Sequence, residues 1–319
     1  MVTIVAAGVA WSVLAIWLDG PASRVTAAAL AIALALSSVI LTASLRPLRR
    51  GLLAAIIPVV AVAVWWSTIT PSNDRDWMPD VARTARATFA GNRVTIQDIR
   101  NFKYRSETDY DQSWETQSYD LDRIRGLDLF LSFWGPTMIA HTIVSWDFDD
   151  GRHLAISIET RKEKGETYSA LRGFFRQYEL YYVVAEERDV VELRTNFRGE
   201  QVFLYRIRIP AAEARHLLID YLNKVNNLAE HPRWYNALTA NCTTAIRSHT
   251  QNIGISQRLN WRLLANGYLD ELLYDRNQID TSLPFAELRA RSNITNAAIA
   301  ADDSPDFSAR IRRGRLQGR

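Results

Sequence analysis

The sequence predicts an α+β protein: three N-terminal transmembrane helices followed by an extracytoplasmic domain with a mainly antiparallel sheet. Three observations predict it. Residues 1–69 are three apolar runs joined by short polar turns; residues 94–209 follow the alternation of strands, and helical periods take over from residue 210. Charge is segregated as well, since residues 1–69 hold only Asp19, Arg24, Arg46, Arg49 and Arg50. The formal charge of +3, from 38 Lys+Arg and 35 Asp+Glu, therefore lies entirely in the apolar part. That excludes a global basic field of the kind that grips nucleic acid. With 10 Trp, 12 Tyr and 11 Phe the chain has ample core material, and its 1 Cys cannot form an intramolecular disulfide.

The runs Met1 to Leu18, Val25 to Leu45 and Gly51 to Ile69 are each close to the ~20 residues a helix needs to cross a hydrocarbon core. A cleavable signal peptide explains the first run poorly, because it has no basic n-region and two further spans follow. Arg46, Arg49 and Arg50 in the second turn outnumber Arg24, which stands near Asp19 in the first. The arginine-rich turn is therefore expected on the cytoplasmic side, which sends the third span outward and leaves Trp65 and Trp66 at its outer end. The expected location is the inner (cytoplasmic) membrane, multi-pass, with the later residues periplasmic.

Four segments follow from these patterns: a membrane module over 1–69, a connector over 70–93, an extracytoplasmic domain over 94–308 and a basic tail over 309–319. In the connector, Val81 to Phe89 reads as a short helix ended by Gly91. Strands are predicted over 94–104, 127–134, 141–148, 153–160, 180–184, 190–195 and 202–209. Helices are predicted over 210–228, 242–251 and 256–273, the first with Leu217, Leu218, Tyr221, Leu222, Val225 and Leu228 on one face. The tail from Ala309 to Arg319 has five Arg and no acid; it reads as a solvated terminus or a polybasic strip for anionic headgroups.

Residues 141–160 form the most informative stretch. Asp149-Asp150-Gly151 suits a three-residue hairpin loop with glycine in the left-handed region. Such a loop pairs Phe148 with Arg152 and sets His141 opposite Glu159. One face then collects Thr142, Val144, Trp146, Phe148, Leu154, Ile156 and Ile158; the other carries His141, Ile143, Ser145, Asp147, Ala155, Ser157 and Glu159. A carboxylate beside an imidazole fixes its tautomer, the third-member role in a triad, though opposite charges across strands are also common without any chemistry.

Cys242 follows Asn241 at a predicted helix start, with Asn241 as its cap. A thiol there is expected to have a lowered pKa, through the helix dipole and free backbone N–H groups. A lone cysteine is more often a small core residue, but an unpaired thiol outside the cytoplasm is exposed to oxidation. Among the other histidines, His249 and His153 are expected too far from Cys242 to serve as base; His216 lies on the 210–228 helix and His231 in a loop. No metal motif, phosphate loop or Gly-x-Ser-x-Gly elbow is present, and no cofactor is expected.

A His on an early strand, a carboxylate on the next and Asn-Cys at a later helix start is the chain order of circularly permuted papain-like domains, and resembles the lecithin:retinol acyltransferase and NlpC-like superfamily. The blocks Ala140 to Ile143, Ser157 to Arg161, Tyr178 to Tyr182 and Tyr235 to Thr244 are similar to those of the Lnb N-terminal periplasmic domain family. That resemblance implies a papain-like thiol fold with Cys242, His141 and Glu159 as catalytic residues. It also implies lipoprotein N-acyltransfer: a phospholipid acyl donor, a thioester intermediate and a lipoprotein or peptide acceptor at the membrane. Asn241, Thr243, Arg161 and Tyr235 are expected to contact substrate, Arg161 through an anionic headgroup unless it pairs with a surface acid. Two alternatives remain on the residues alone: a cell-wall peptidase or amidase using the same dyad, and a membrane-tethered binding domain without catalysis.

Overall fold

The computed structural model describes residues 1–252, 260–263 and 265–314. Part of the predicted 256–273 helix and the last five residues of the basic tail lie outside these. The chain divides into two compact units, and the division is not linear in sequence: Met1–Asp74, Glu166–Glu179 and Arg233–Ala237 form the first, and the remainder forms the second.

In the first unit, α1 (Val2–Asp19), α2 (Arg24–Ser44) and α3 (Leu48–Ser67) are each long and apolar enough to cross a membrane. Ser23 caps α2, accepting from the Thr26 N–H. The helices touch through small residues, Ala15, Ala27 and Ala55 being fully buried, as expected where lipid supplies no hydrophobic drive between helices. Gly51 is required at one such contact, since a Cβ there would fall 2.6 Å from the Thr42 carbonyl oxygen. Asp19, the one acid of these helices, is tied down by Trp66 Nε1 (2.6 Å), Gln177 Nε2 (2.7 Å) and the Arg176 N–H (3.2 Å). Segments 166–179 and 233–237 thus pack with the helix ends, where Trp234 Nε1 also donates to Ile69 O.

The second unit is built on ten strands: β1 (Arg86–Ala90), β2 (Arg93–Arg100), β3 (Lys103–Tyr104), β4 (Tyr110–Asp111), β5 (Trp114–Asp120), β6 (Ile124–Phe133), β7 (His141–Phe148), β8 (His153–Arg161), β9 (Glu179–Glu186) and β10 (Gln201–Ile207). Eight form one sheet in the order β1-β2-β9-β8-β7-β6-β10, with β5 also on β2; β3 and β4 pair separately. Pairing is largely antiparallel, with β2 and β9 a parallel pair, so the expected α+β class holds. Two predicted elements differ. Residues 86–90 extend as β1 rather than coil into a helix, because the Gly91-Asn92 turn folds them back on β2, with Phe89 opposite Val94. Residues 190–195 are helical, within α4 (Glu187–Glu192) and the π turn that follows; their apolar run is buried from several sides, which erases the period that would tell helix from strand.

The β7–β8 hairpin has the expected register: Ile143 faces Ser157 and Val144 faces Ile156, with Gly151 at φ +82° closing the loop. Its second face, however, is buried rather than solvated. Ile143, Ala155, Phe130 and Val183 pack under Ala298 of α9 (Thr295–Ala301), Phe307 of α10 (Phe307–Arg310) and the flanking Ile294 and Ile311. On the opposite face, α5 (Ala211–Glu230) buries all six residues of its predicted apolar stripe, and Trp146 Nε1 donates to Ala214 O. The sheet is thus covered on both sides. Three helices complete the unit: α6 (Cys242–Asn252), α7 (Leu269–Asp275) and α8 (Phe285–Ser292).

Candidate active site

His141 opens β7 and is nearly buried; its Nε2 lies 2.6 Å from Ser157 Oγ and 3.1 Å from Glu159 Oε1. Glu159 Oε1 also accepts from Ser157 Oγ (2.8 Å) and Arg194 Nη2 (2.9 Å). Since Ser157 gives its proton to Glu159, it must accept from the ring, which assigns the His141 proton to Nε2 and leaves the lone pair on Nδ1. Burial, followed by the nearby Arg194 charge, lowers the His141 pKa against the pull of Glu159. Burial pushes the Glu159 carboxyl up, but His141 and Arg194 outweigh it and hold it well below the usual carboxylate range. The resting pair is therefore a neutral imidazole beside a carboxylate, a base rather than an acid near neutral pH.

Asn241 does cap α6, and reciprocally: the Thr244 N–H donates to Asn241 Oδ1 and the Asn241 N–H to Thr244 Oγ1, both at 2.9 Å. This places the half-buried Cys242 thiol in the first turn. The nearby backbone N–H groups of Thr142 and Thr243 favour the charged sulfur, and Thr243 Oγ1 lies 3.9 Å from it. The expectation of a depressed thiol pKa is not met, because burial outweighs these donors and raises it. The site is arranged to receive a thiolate once one forms, while the resting state holds a thiol.

Sequence reasoning missed Asn266. Buried between the strand entry and the thiol, it donates to Ala140 O (2.6 Å), accepts from the Ala140 N–H (2.9 Å) and places Nδ2 3.8 Å from Cys242 Sγ. Gly267 must be glycine, since a Cβ would stand 1.9 Å from Thr137 O. The Asn-Gly pair, a turn signal inside the predicted 256–273 helix, was the available clue.

The thiol therefore meets β7 at the Thr142 backbone, one residue from His141. Among the described residues no hydrogen bond joins Cys242 to His141. Thr243 and Ile246 share a cavity wall with Val144, whereas the His141 ring belongs to the row of Ile143 and Ser145. Catalytic hydrogen bonds in empty sites are often long and tighten only with substrate.

One expected substrate contact, Arg161, is committed to the fold. Arg161 is buried, donating to Val81 O and Ala82 O (both 2.9 Å) and stacking 4.3 Å over the Trp77 ring. It braces the segment before β1 and has no free face for a headgroup. Tyr235 belongs to the first unit, its N–H donating to Tyr178 O. His249 is also committed, to Asp220 Oδ2 (2.5 Å) and Tyr182 Oη (2.8 Å), with its ring stacked on Tyr221.

A second buried polar cluster lies on the β6–β8 face away from α5: Asp128, His153 and Glu187 bring candidate metal-ligating atoms within 4.8 Å of one another. Arg312 engages both carboxylates, Glu187 at 2.6 Å and Asp128 at 2.7 Å, and Arg206 adds a contact to Asp128. The tail expected to be solvated or membrane-bound is therefore integral to the fold as far as Arg312, with Ile311 fully buried.

No curated protein and no solved structure matches the chain. The sequence profile of the Lnb N-terminal periplasmic domain does match, over residues 110–267, a span that contains His141, Glu159, Cys242 and Asn266. Behind three apolar helices, residues 110–267 of this chain are thus a segment that matches the Lnb N-terminal periplasmic domain family.

Proposed function

We propose that the protein is a membrane-anchored extracytoplasmic cysteine acyltransferase that works through a thioester. The observation that supports this reading is the lone thiol at the start of α6, held near the Thr142 backbone and Asn266, in the same domain as a buried His141 oriented by Glu159. On substrate binding His141 Nδ1 takes the Cys242 proton, and the thiolate attacks the ester carbonyl of a phospholipid. The tetrahedral oxyanion is met by first-turn backbone N–H groups and Asn266 Nδ2. Collapse expels the lipid alcohol, which takes the proton back from His141. An amine, the N-terminus of a lipoprotein or peptide, then attacks the thioester; the C–S bond breaks, the acyl chain passes to nitrogen, and the amine proton returns through His141 to the Cys242 thiolate.

Three inner-membrane spans, with the arginine-rich turn cytoplasmic, tether the second unit on the periplasmic side. A lipid substrate is further supported by exposed apolar side chains close in sequence to the site: Met138 and Ile139 before His141, Leu238 before Cys242 and Trp261 before Asn266. Full-length protein incubated with phospholipid should gain the mass of one acyl chain on Cys242 and pass it to a diacylated lipopeptide; Cys242→Ala should do neither. Unchanged N-acylation by Cys242→Ala would sink the proposal, and cleavage of muropeptides without acyl transfer would make the enzyme an amidase.

A further inference from the structure

Residues 166–179 lie inside the matched family span yet pack in the first unit, with α1, α2 and α3. Phe175 inserts there: its ring is buried in the same apolar cluster as Ala15 and Ile16 of α1, Ala31 of α2 and Val62 of α3. Hydrogen bonds fix the level along the helices. The Arg176 N–H and Gln177 Nε2 reach Asp19, and Gln177 Nε2 also reaches Leu18 O (2.9 Å). The Arg176 guanidinium stacks 4.2 Å over Trp66 and donates to Ile69 O. These partners belong to the C-terminal ends of α1 and α3, so the segment sits where those helices leave the hydrocarbon.

Ahead of Phe175 the chain makes one tight turn. The Gly173 N–H donates to Ser169 O, that of Phe174 to Leu171 O and that of Phe175 to Arg172 O. In a 3₁₀ turn side chains three residues apart eclipse, which puts Leu171 and Phe174 on one side, with Tyr168 a step earlier. All three are exposed: Tyr168 and Leu171 at 51%, Phe174 at 40%. Exposed apolar side chains scattered singly are ordinary, but a row of them on a turn pinned to membrane helices is a patch. Trp17 and Trp65 are also exposed, near the same helix ends. Residues 167–178 carry Arg172 and Arg176 and no acid. Aromatic and leucine side chains beside arginine are the composition of an element at headgroup level.

We infer that residues 168–174 are a further membrane contact, an interfacial turn whose Tyr168, Leu171 and Phe174 side chains enter the leaflet at the C-terminal ends of α1 and α3. The occupant is lipid rather than protein, because the row is continuous with helices long and apolar enough to span a bilayer, at the end where their own tryptophans are exposed. Its side chains reach ~5–10 Å into the boundary between headgroups and acyl chains. The turn also holds residues 233–237, the stretch ahead of Asn241 and Cys242: the Ala237 N–H donates to Gly173 O (2.7 Å) and Asn236 Nδ2 to Phe174 O (3.4 Å). Backbone leading to the thiol is thereby tied to an element seated in the leaflet.

Cys242→Ser removes the sole thiol, so a cysteine placed elsewhere takes one dye. Leu171→Cys and Phe174→Cys, each in that background, would carry a nitrobenzoxadiazole dye on full-length protein in phosphatidylcholine vesicles. Ile57→Cys, exposed near the middle of α3, gives the deep reference. Emission from the turn positions should shift to the blue of the same dye on a free peptide and lose most of its quenching by iodide. Lipids spin-labelled high on the acyl chain should quench it more than lipids labelled near the chain end, and Ile57→Cys should show the opposite preference. Either turn position suffices should the other variant fail to reconstitute. Iodide quenching equal to that of the free peptide overturns the inference. Protection from iodide without quenching by either lipid also overturns it, and would mean that a second copy of the protein covers the row. The readout involves no catalysis, so its failure and that of the acyltransferase reading are separate.

Discussion

At Glu159 Oε1 three donors converge, from His141, Ser157 and Arg194, and their balance sets the protonation of the base. Arg194 acts in two directions: it fixes the carboxylate and it disfavours a charge on His141. Removing that positive charge must raise the His141 pKa, because imidazolium then faces Glu159 with no opposing cation. Arg194→Gln is therefore expected to move the acid limb of Cys242 acylation upward by about one pH unit, with the neutral-pH plateau changed little. Arg194→Lys keeps the charge and should restore the original limb; a limb unmoved in Arg194→Gln would mean that His141 is not the titrating base. His141 and Glu159 were legible in the sequence because hairpin register is fixed by loop type and face alternation. Ser157 and Arg194 were not singled out: Ser157 lay in the same register as one more polar residue of that face, and Arg194 arrives from a π turn in a stretch that reads as strand.

Among the elements, α6 carries Cys242 at one end and its anchor at the other. Asp220 accepts from His249 Nδ1 and from Asn252 Nδ2, His249 Nε2 meets Tyr182 Oη, and Tyr221 stacks on the same imidazole. Burial lowers the His249 pKa against the pull of Asp220, so this clamp works through hydrogen bonds and packing around a largely neutral ring. Asp220→Ala should cost about 1–3 kcal/mol of local stability by orphaning His249 Nδ1. Hydrogen exchange is the discriminating measurement: amides of α6 should exchange faster, while those of β7 and β8 stay protected. Equal loosening of the whole sheet would show that the clamp is not local. The start of α6 could be read directly, since Asn241 and Thr244 carry their own capping chemistry. The docking of α6 could not, because it depends on side chains from β9 and α5 far away in sequence. Residues 86–90 misled for a related reason: five residues hold too little periodicity to outweigh the turn that folds them onto β2.

For the molecule as a whole, the sequence places excess charge at its two ends, and the structure gives the C-terminal end a structural role. Arg312, from what reads as a loose basic tail, lies between Asp128 and Glu187 on the buried face of the sheet. Burial pushes the Glu187 carboxyl up, yet Arg312 dominates and holds it at about 2, below its ordinary 4.5. A depressed carboxylate contributes stability that is fully present above the unfolded value and lost as pH falls through the folded one, here between about 4.5 and about 2. The shift corresponds to a term on the order of 3 kcal/mol near neutral pH. Arg312→Met leaves two buried carboxylates without this partner, and such a loss typically costs about 3–5 kcal/mol. Denaturation of full-length protein in detergent, followed by tryptophan fluorescence, should show the variant far less stable than its parent at pH 7. The gap should narrow steadily below pH 4.5, because acid protonates the carboxylate whose charge Arg312 otherwise compensates. A gap that stays constant across this range would assign Arg312 a packing role alone and remove the ion pair from the account of how the C-terminal helices are held to the sheet.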